Sequence, residues 1–192
     1  MFDANEYNEE RFVELEASGE DFELRQFYDC VFERCDFSQA NLSGCRFVDC
    51  TFSFCNLANS IMRATALRSV VFSESKLLGV DFSLVDQVML EVSFDKCDLS
   101  YGAFSRLDLR AVKLLNSNLL EAQFESCNMI AADFSGSTLE GTSFANCDLT
   151  KADFSDAEGY CFDPRLNKIK GAKFSLPEAV TLLKAFDIVL KI

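Results

Sequence analysis

Large apolar residues recur at every fifth position through most of this chain. From Phe22 they continue at Phe27, Phe32, Phe37, Leu42, Phe47, Phe52, Leu57, Met62, Leu67, Phe72, Leu77 and Phe82. Two positions before many of them stands a small residue, as at Cys30, Cys35, Ala40, Cys45, Cys50 and Cys55. The position between is mostly polar, with Asp36, Asn41 and Asn56 typical. A helix repeats about every 3.6 residues and a strand about every 2.0, so a strict five belongs to neither. A fixed short period marks a stacked repeat whose units bury their apolar faces against one another. The large residue and the small one two places earlier point to the same side of an extended segment. Turning the chain after every five residues then encloses Phe and Leu in a central column.

The phase shifts once. After Phe82 the centres are Met89, Phe94, Leu99, Phe104, Leu109, Leu114, Leu119, Phe124, Met129, Phe134, Leu139, Phe144, Leu149 and Phe154, and the step from Phe82 to Met89 is seven. The pattern therefore divides the chain into a lead-in at 1–19, a first stack at 20–82, a two-residue bulge or small loop within 83–88, and a second stack at 89–174. Phe12 already keeps the first phase, so an imperfect coil begins near it. Gly159 and Pro164 keep the second phase without its residue type, and the pattern resumes at Ile169 and Phe174.

Residues 175–192 are different in kind. Ser175 and Glu178 have the spacing of a capping box, and Pro177 is tolerated in a first helical turn. Leu176, Ala179, Val180, Leu183 and Phe186 fall on one helical stripe, and Ile188, Val189 and Leu190 follow as a short strand. This reading gives an α-helix that closes the stack or joins it to another.

Nine cysteines raise the question of disulfides or metal. Eight of them, all but Cys161, hold the small position two before a centre, where cysteine serves as a small buried hydrophobe. The chain has no histidine, which removes mixed zinc sites and Ser-His-Asp or Cys-His catalysis. No glycine-rich phosphate loop is present. No catalytic, cofactor-binding or metal-binding residue is expected, and the chain is not read as an enzyme.

The net charge is −13. It lies on the repeats: residues 1–162 carry −16 and residues 163–192 carry +3. A strongly acidic surface excludes direct binding to nucleic acid or to anionic lipid. The N-terminus lacks a signal-peptide core and no run reaches transmembrane length, so a cytoplasmic protein is expected. With a twenty-residue coil, Asp108, Asn128 and Asp148 share one column, and Asp133 and Asp153 share another. Glu121, Glu125 and Glu140 lie at outward positions nearby.

The quintets Ala40-Asn-Leu-Ser-Gly, Ala132-Asp-Phe-Ser-Gly, Cys147-Asp-Leu-Thr-Lys and Ala152-Asp-Phe-Ser-Asp resemble pentapeptide repeats. The resemblance covers about residues 20–174 and implies an all-β solenoid, a right-handed four-sided β-helix with four quintets to a coil. The ending from Asp163 through Asp187-Ile-Val-Leu resembles the C-terminal dimerisation module of the topoisomerase-protecting subgroup, which includes Qnr, MfpA, AlbG and McbG. That resemblance implies a homodimer that mimics DNA and binds DNA gyrase or topoisomerase IV, countering a quinolone or a peptide or natural-product toxin. It makes Asp108, Glu121, Glu125, Asp133, Glu140, Asp148 and Asp153 candidate topoisomerase-facing acids. Leu176, Val180, Leu183, Phe186, Ile188 and Leu190 become the candidate dimer interface. The two sizeable loops of Qnr proteins are absent here, which brings the chain closer to AlbG, McbG and MfpA. The alternative is a structural solenoid that scaffolds protein–protein contacts and has no topoisomerase role. It requires charge scattered evenly around the rod, whereas mimicry requires a continuous acidic stripe.

Overall fold

The structure, a computed structural model, describes residues 5–188. Short parallel strands stack in register to make a β-solenoid of about eight turns. The first side holds β1 (Glu6–Asn8), β3 (Gln26–Tyr28), β5 (Arg46–Val48) and β7 (Ala66–Arg68), paired in that order. The second holds β2 (Arg11–Val13), β4 (Val31–Glu33), β6 (Thr51–Ser53), β8 (Val70–Ser73), β9 (Val92–Asp95) and β11 (Lys113–Leu115) in one six-stranded sheet. It continues through Asp133 to the pair β14 (Asp153–Phe154) and β15 (Lys173–Phe174). The third side is a run of single bridges: Glu16, Asp36, Asn56, Lys76, Asp98, Asn118, Thr138 and Glu158 each pair with the next. The fourth starts with the bridges Asp21–Asn41–Ile61. It ends in β10 (Ala103–Ser105), β12 (Gln123–Glu125) and β13 (Ser143–Ala145).

Each quintet does one job at each position. The central Phe or Leu fills the column: Phe32, Phe72, Phe134 and Phe154 are wholly buried. Rings twenty residues apart stack nearly parallel, as Phe124 does on Phe144 at 5.1 Å and 6°. Rings on adjoining sides meet edge to face, as Phe47 and Phe52 do at 5.3 Å and 71°. Burial of each such ring contributes roughly 1.5–3 kcal/mol. The residue before the centre, where it is Asp or Asn, ties the turn: Asp36 Oδ1 accepts the N–H of Ser38 at 2.8 Å, and Asp153 Oδ1 that of Ser155 at 2.9 Å. The corner residue adopts positive φ, whether Gln39 (58°), Asn59 (56°) or Gly79 (71°).

The small inward position is also a hydrogen-bond donor. Cys45 Sγ donates to Phe22 O at 3.0 Å, Thr65 Oγ1 to Leu42 O at 2.7 Å and Ser137 Oγ to Leu114 O at 2.6 Å. Cysteine, serine and threonine thus alternate there because each is small and reaches the carbonyl of the centre one coil back. Burial raises the thiols of Cys45 and Cys97 to about 11 and that of Cys50 to about 12. Cys55 and Cys147 are pushed up by hydrogen bonding with the thiols of Cys35 and Cys127 and by burial. These groups are packed thiols, and only Cys161 is exposed.

The register locates the phase shift. Asp86 still lies twenty residues from its partner Ala66, whereas Val92 pairs with Val70 at a separation of twenty-two. The two extra residues therefore fall in 87–91, overlapping the end of the expected 83–88 segment. Phe82–Leu84 is a 3-10 turn that stays in the first phase, and Val85 keeps the small inward position. Met89, read as the first centre of the second phase, is 73% exposed, and Leu90 packs against the core instead. The first coil starts earlier than residue 20: β1 and β2 pair with β3 and β4, and Tyr7 and Phe12 stack on Phe27 and Phe32.

The C-terminal segment differs from the expected α-helix. Glu178–Phe186 is a 3-10 helix whose N-cap position is Pro177, which has no side-chain acceptor to cap it, and Ser175 Oγ instead accepts the N–H of Asp156 from the neighbouring coil. At three residues per turn the inward positions become Ala179, Leu182 and Ala185, and Leu182 is the one buried residue of the segment. Tyr160, one place past Gly159, is wholly buried, and with Phe162 it packs against Phe154 and Phe174.

Candidate functional site: the charged sides of the rod

The four sides carry their charge unequally. On the first, Arg46, Arg68, Arg110, Lys168 and Lys170 are interleaved with the carboxylates. The third side and its following corners hold Glu16, Asp36, Asp98, Glu121, Glu140 and Glu158, and the base on that side is Lys76. Glu121 sits at a corner with φ of 53°, and its N–H donates to Glu140 O at 2.9 Å, so the two acids occupy successive coils. Asp36 is held below the usual carboxylate range: burial works against it, but the hydroxyl and N–H of Ser38 and the amide of Asn56 outweigh that.

The columns expected from sequence are present. Asp108, Asn128 and Asp148 bridge in succession, as do Asp133 and Asp153. They lie on different sides, however, and each column ends in a lysine. Lys168 Nζ is 3.1 Å from Asp148 Oδ2, and Lys173 Nζ is 2.6 Å from Asp153 Oδ2. Asp148 is lowered by Thr150 and Lys168, and Asp153 by Lys173 and Ser155. Asp108 forms a 2.7 Å ion pair with Arg110 two residues on. Glu125 lies on the fourth side. The seven candidate acids therefore do not form one stripe, and only Glu121 and Glu140 belong to the most acidic side. Glu16, Asp36, Asp98 and Glu158 complete that side. Counting by twenties, plus two at the phase shift, finds them.

Of the candidate interface residues, Leu176 (79%), Val180, Phe186 and Ile188 are exposed, and Leu183 is half-buried. Arg165 lies over the Phe186 ring at 5.3 Å. Ile188 is not in a strand, and Leu190 lies outside the described residues. Among the described residues no three His, Cys, Asp or Glu side chains are grouped to hold a metal ion.

The family profile described as "Pentapeptide repeat region" matches residues 25–88 and 86–154. Among solved structures, a trypsin-treated variant of QnrB1, described as a plasmid-mediated fluoroquinolone resistance protein, superposes with a TM-score of 0.62 at 21% identity. The match covers 97% of this chain and 90% of that one. Full-length QnrB1 gives a TM-score of 0.52 at 18% identity over 95% and 100% of the two chains. HetL, a pentapeptide repeat protein involved in heterocyst differentiation regulation in the cyanobacterium Nostoc, gives 0.44 at 15% identity over 87% and 84%. No curated protein sequence matches. At these identities the likeness to the solved structures is one of fold.

Proposed function

The chain belongs to the pentapeptide repeat family, and from that premise we propose that it is a DNA-mimicking binding protein. It occupies the DNA-binding surface of DNA gyrase or topoisomerase IV and protects the enzyme from a poison, either a quinolone or a peptide or natural-product toxin. The observation that carries this reading is the charge on the stack. With coils about 4.8 Å apart, eight of them span ~38 Å. The net −16 of residues 1–162 then amounts to one charge per ~2.4 Å, against one per ~1.7 Å along duplex DNA. The third side is sparser by itself, so a basic cleft responds to the field of the whole rod. That side supplies the contact stripe, because its carboxylates are the least interrupted by cations.

The protein acts as a homodimer. Leu176, Val180, Phe186 and Ile188 expose apolar surface at one end of the rod, and a two-fold interface covers the same patch on both copies. Residues 163–192, at +3, place little repulsion at that junction.

A second reading, a solenoid scaffold for another protein, is favoured by the ion pairs of Asp108, Asp148 and Asp153, which give those acids structural partners. One experiment separates the two. DNA supercoiling by purified gyrase is titrated with the protein, with and without a fluoroquinolone or an albicidin-type poison. Inhibition alone supports mimicry without protection, and restored supercoiling in the presence of one poison establishes protection and names the drug class. No effect at micromolar protein overturns the topoisomerase reading. Replacing Glu121, Glu140 and Glu158 by Gln weakens any effect more than replacing Asp108, Asp148 and Asp153 by Asn.

A further inference from the structure

The break in register opens one side of the rod only. Across the phase shift the second side pairs Val70 with Val92, the third Lys76 with Asp98 and the fourth Asp81 with Ala103. On the first side the bridges run from Ala66 to Asp86 and start again from Asp108 to Asn128. Among the described residues none joins Asp86 to Asp108.

Three backbone bonds make a regular step on this side. Leu109 N–H donates to Asn128 O at 2.8 Å, Asn128 N–H to Leu107 O at 2.9 Å and Ala111 N–H to Ile130 O at 2.9 Å. One coil earlier, among the described residues, their equivalents are missing. Nothing in the coil below bonds the N–H or C=O of Asp108 or the C=O of Arg110, and the N–H of Met89, at a corner with φ of 58°, meets no acceptor.

A groove takes the place of those bonds. Gln87, Met89, Leu90, Asp108 and Arg110 line about 460 Å³ on the first side. It shares Leu90, Asp108 and Arg110 with a cleft of about 350 Å³ at the corner with the second side, where Val70, Val92 and Val112 add apolar lining. Spaces of that size are large enough to hold a ligand.

The chemistry of the groove selects its occupant. Free N–H and C=O groups along a strand edge accept another extended backbone, and the apolar lining accepts a side chain from it. The charges cancel: Asp108 holds Arg110 at 2.7 Å, and the cleft adds one carboxylate, Glu91, and one ammonium, Lys113. On a chain of net −13 this is a locally neutral place. It offers no surplus of cations to a nucleic acid or an acidic segment.

We infer that the groove at the phase shift is a docking site for an extended, uncharged segment of a partner protein, which adds its backbone to the Asp108–Arg110 edge and sets an apolar side chain in the cleft. The two extra residues make the site by withholding bonds that the regular steps of this side form. The site is separate from the acidic third side and does not depend on what that side binds.

The test uses the full chain and the probe peptide acetyl-Thr-Val-Leu-Val-Thr-amide, followed by amide resonances and hydrogen exchange. Without peptide, the Asp108 N–H exchanges much faster than those of Asn128 and Asp148. Added peptide shifts the Met89, Asp108 and Arg110 resonances to saturation and slows exchange at Asp108. Of two analogues N-methylated at alternate residues in opposite phase, at least one binds roughly tenfold more weakly, the effect of one lost hydrogen bond. A variant lacking Gln87 and Val88 restores the twenty-residue step, with Met89 in the central position; it stays folded by circular dichroism and gives no response. The inference is overturned if Asp108 exchanges as slowly as Asn128 in the free protein, or if the peptide produces no saturable shift at the groove. Equal binding by the parent and both methylated analogues, or by the wild type and the shortened variant, overturns it as well.

Discussion

The rings of Phe32 and Phe52, twenty residues apart, lie 4.5 Å centroid to centroid and within 7° of parallel. Phe52 also meets Phe37, Phe47 and Phe72, so one ring touches three coils. Phe52→Ala removes these contacts and leaves a cavity that flanking strands in fixed register cannot close. The expected cost is about 3–5 kcal/mol. Phe52→Leu costs much less, since Leu57 and Leu99 fill the same place in other quintets. Chemical denaturation of the three proteins checks the order.

Ser60 occupies the small inward position, but its Oγ is buried without a hydrogen-bond partner. Thr65 and Ser75, at the same position of the next quintets, do reach a carbonyl. Ala40 fills the corresponding place one coil earlier and is wholly buried. Ser60→Ala therefore removes an unsatisfied hydroxyl without opening a hole and raises stability by about 1 kcal/mol. Thr65→Ala has the opposite sign. Paired denaturation curves of the two variants test this contrast.

Gly79 and Gly19 turn corners of the same edge at φ of 71° and 69°. A Cβ at Gly79 would stand 2.4 Å from Asn59 Oδ1, whereas one at Gly19 would meet nothing within 4 Å. Positive φ alone is borne by Gln39 and Asn59 in this edge. Gly79→Ala must also displace the Asn59 amide, so it lowers the melting temperature more than Gly19→Ala does. Thermal melts of the two variants separate the cost of the corner from the cost of the close approach.

Asp153 is held below its ordinary range by Lys173 and Ser155. A carboxylate whose folded pKa is depressed adds stability above its unfolded value of about 3.9, and that stability is lost as pH falls toward the folded value. Asp153→Asn therefore melts below the wild type from neutral pH down to about pH 5, and the gap closes below about pH 4. A melting-temperature series across that range shows the convergence. A gap that widened in acid would contradict the assigned direction.

The column of rings was legible in the sequence because each inward position recurs at a fixed step and only one backbone path turns every five residues. The first coil was less legible. Its third quintet centre is Ala17, buried but too small to register as a centre beside Phe12 and Phe22. Met89 lies five before Phe94 and looks like a centre. The register there belongs to Asp86 and Val92, and the extra residues push Met89 into solvent while Leu90 turns inward. At Ser175 the box pattern was correct as spelling, but the side chain serves the adjoining coil. The make-up of the most acidic side was hidden by arithmetic: Asp98 and Glu158 align with Asp36 only once the twenty-two-residue turn is placed after Asp86. Neighbours in sequence such as Glu121 and Glu125, four apart, face different sides.

Among the described residues, every strand has its hydrogen-bonded partner about one turn away and none farther. Such an object has no centre. Deleting one complete turn asks each remaining turn to accept a neighbour of the same shape, and inserting one asks no more. Length is then a quantity that can change in whole turns while the cross-section stays fixed, as pages can be added to a bound stack. Among the described residues that freedom stops between Asp86 and Val92, where the turn is not a whole one.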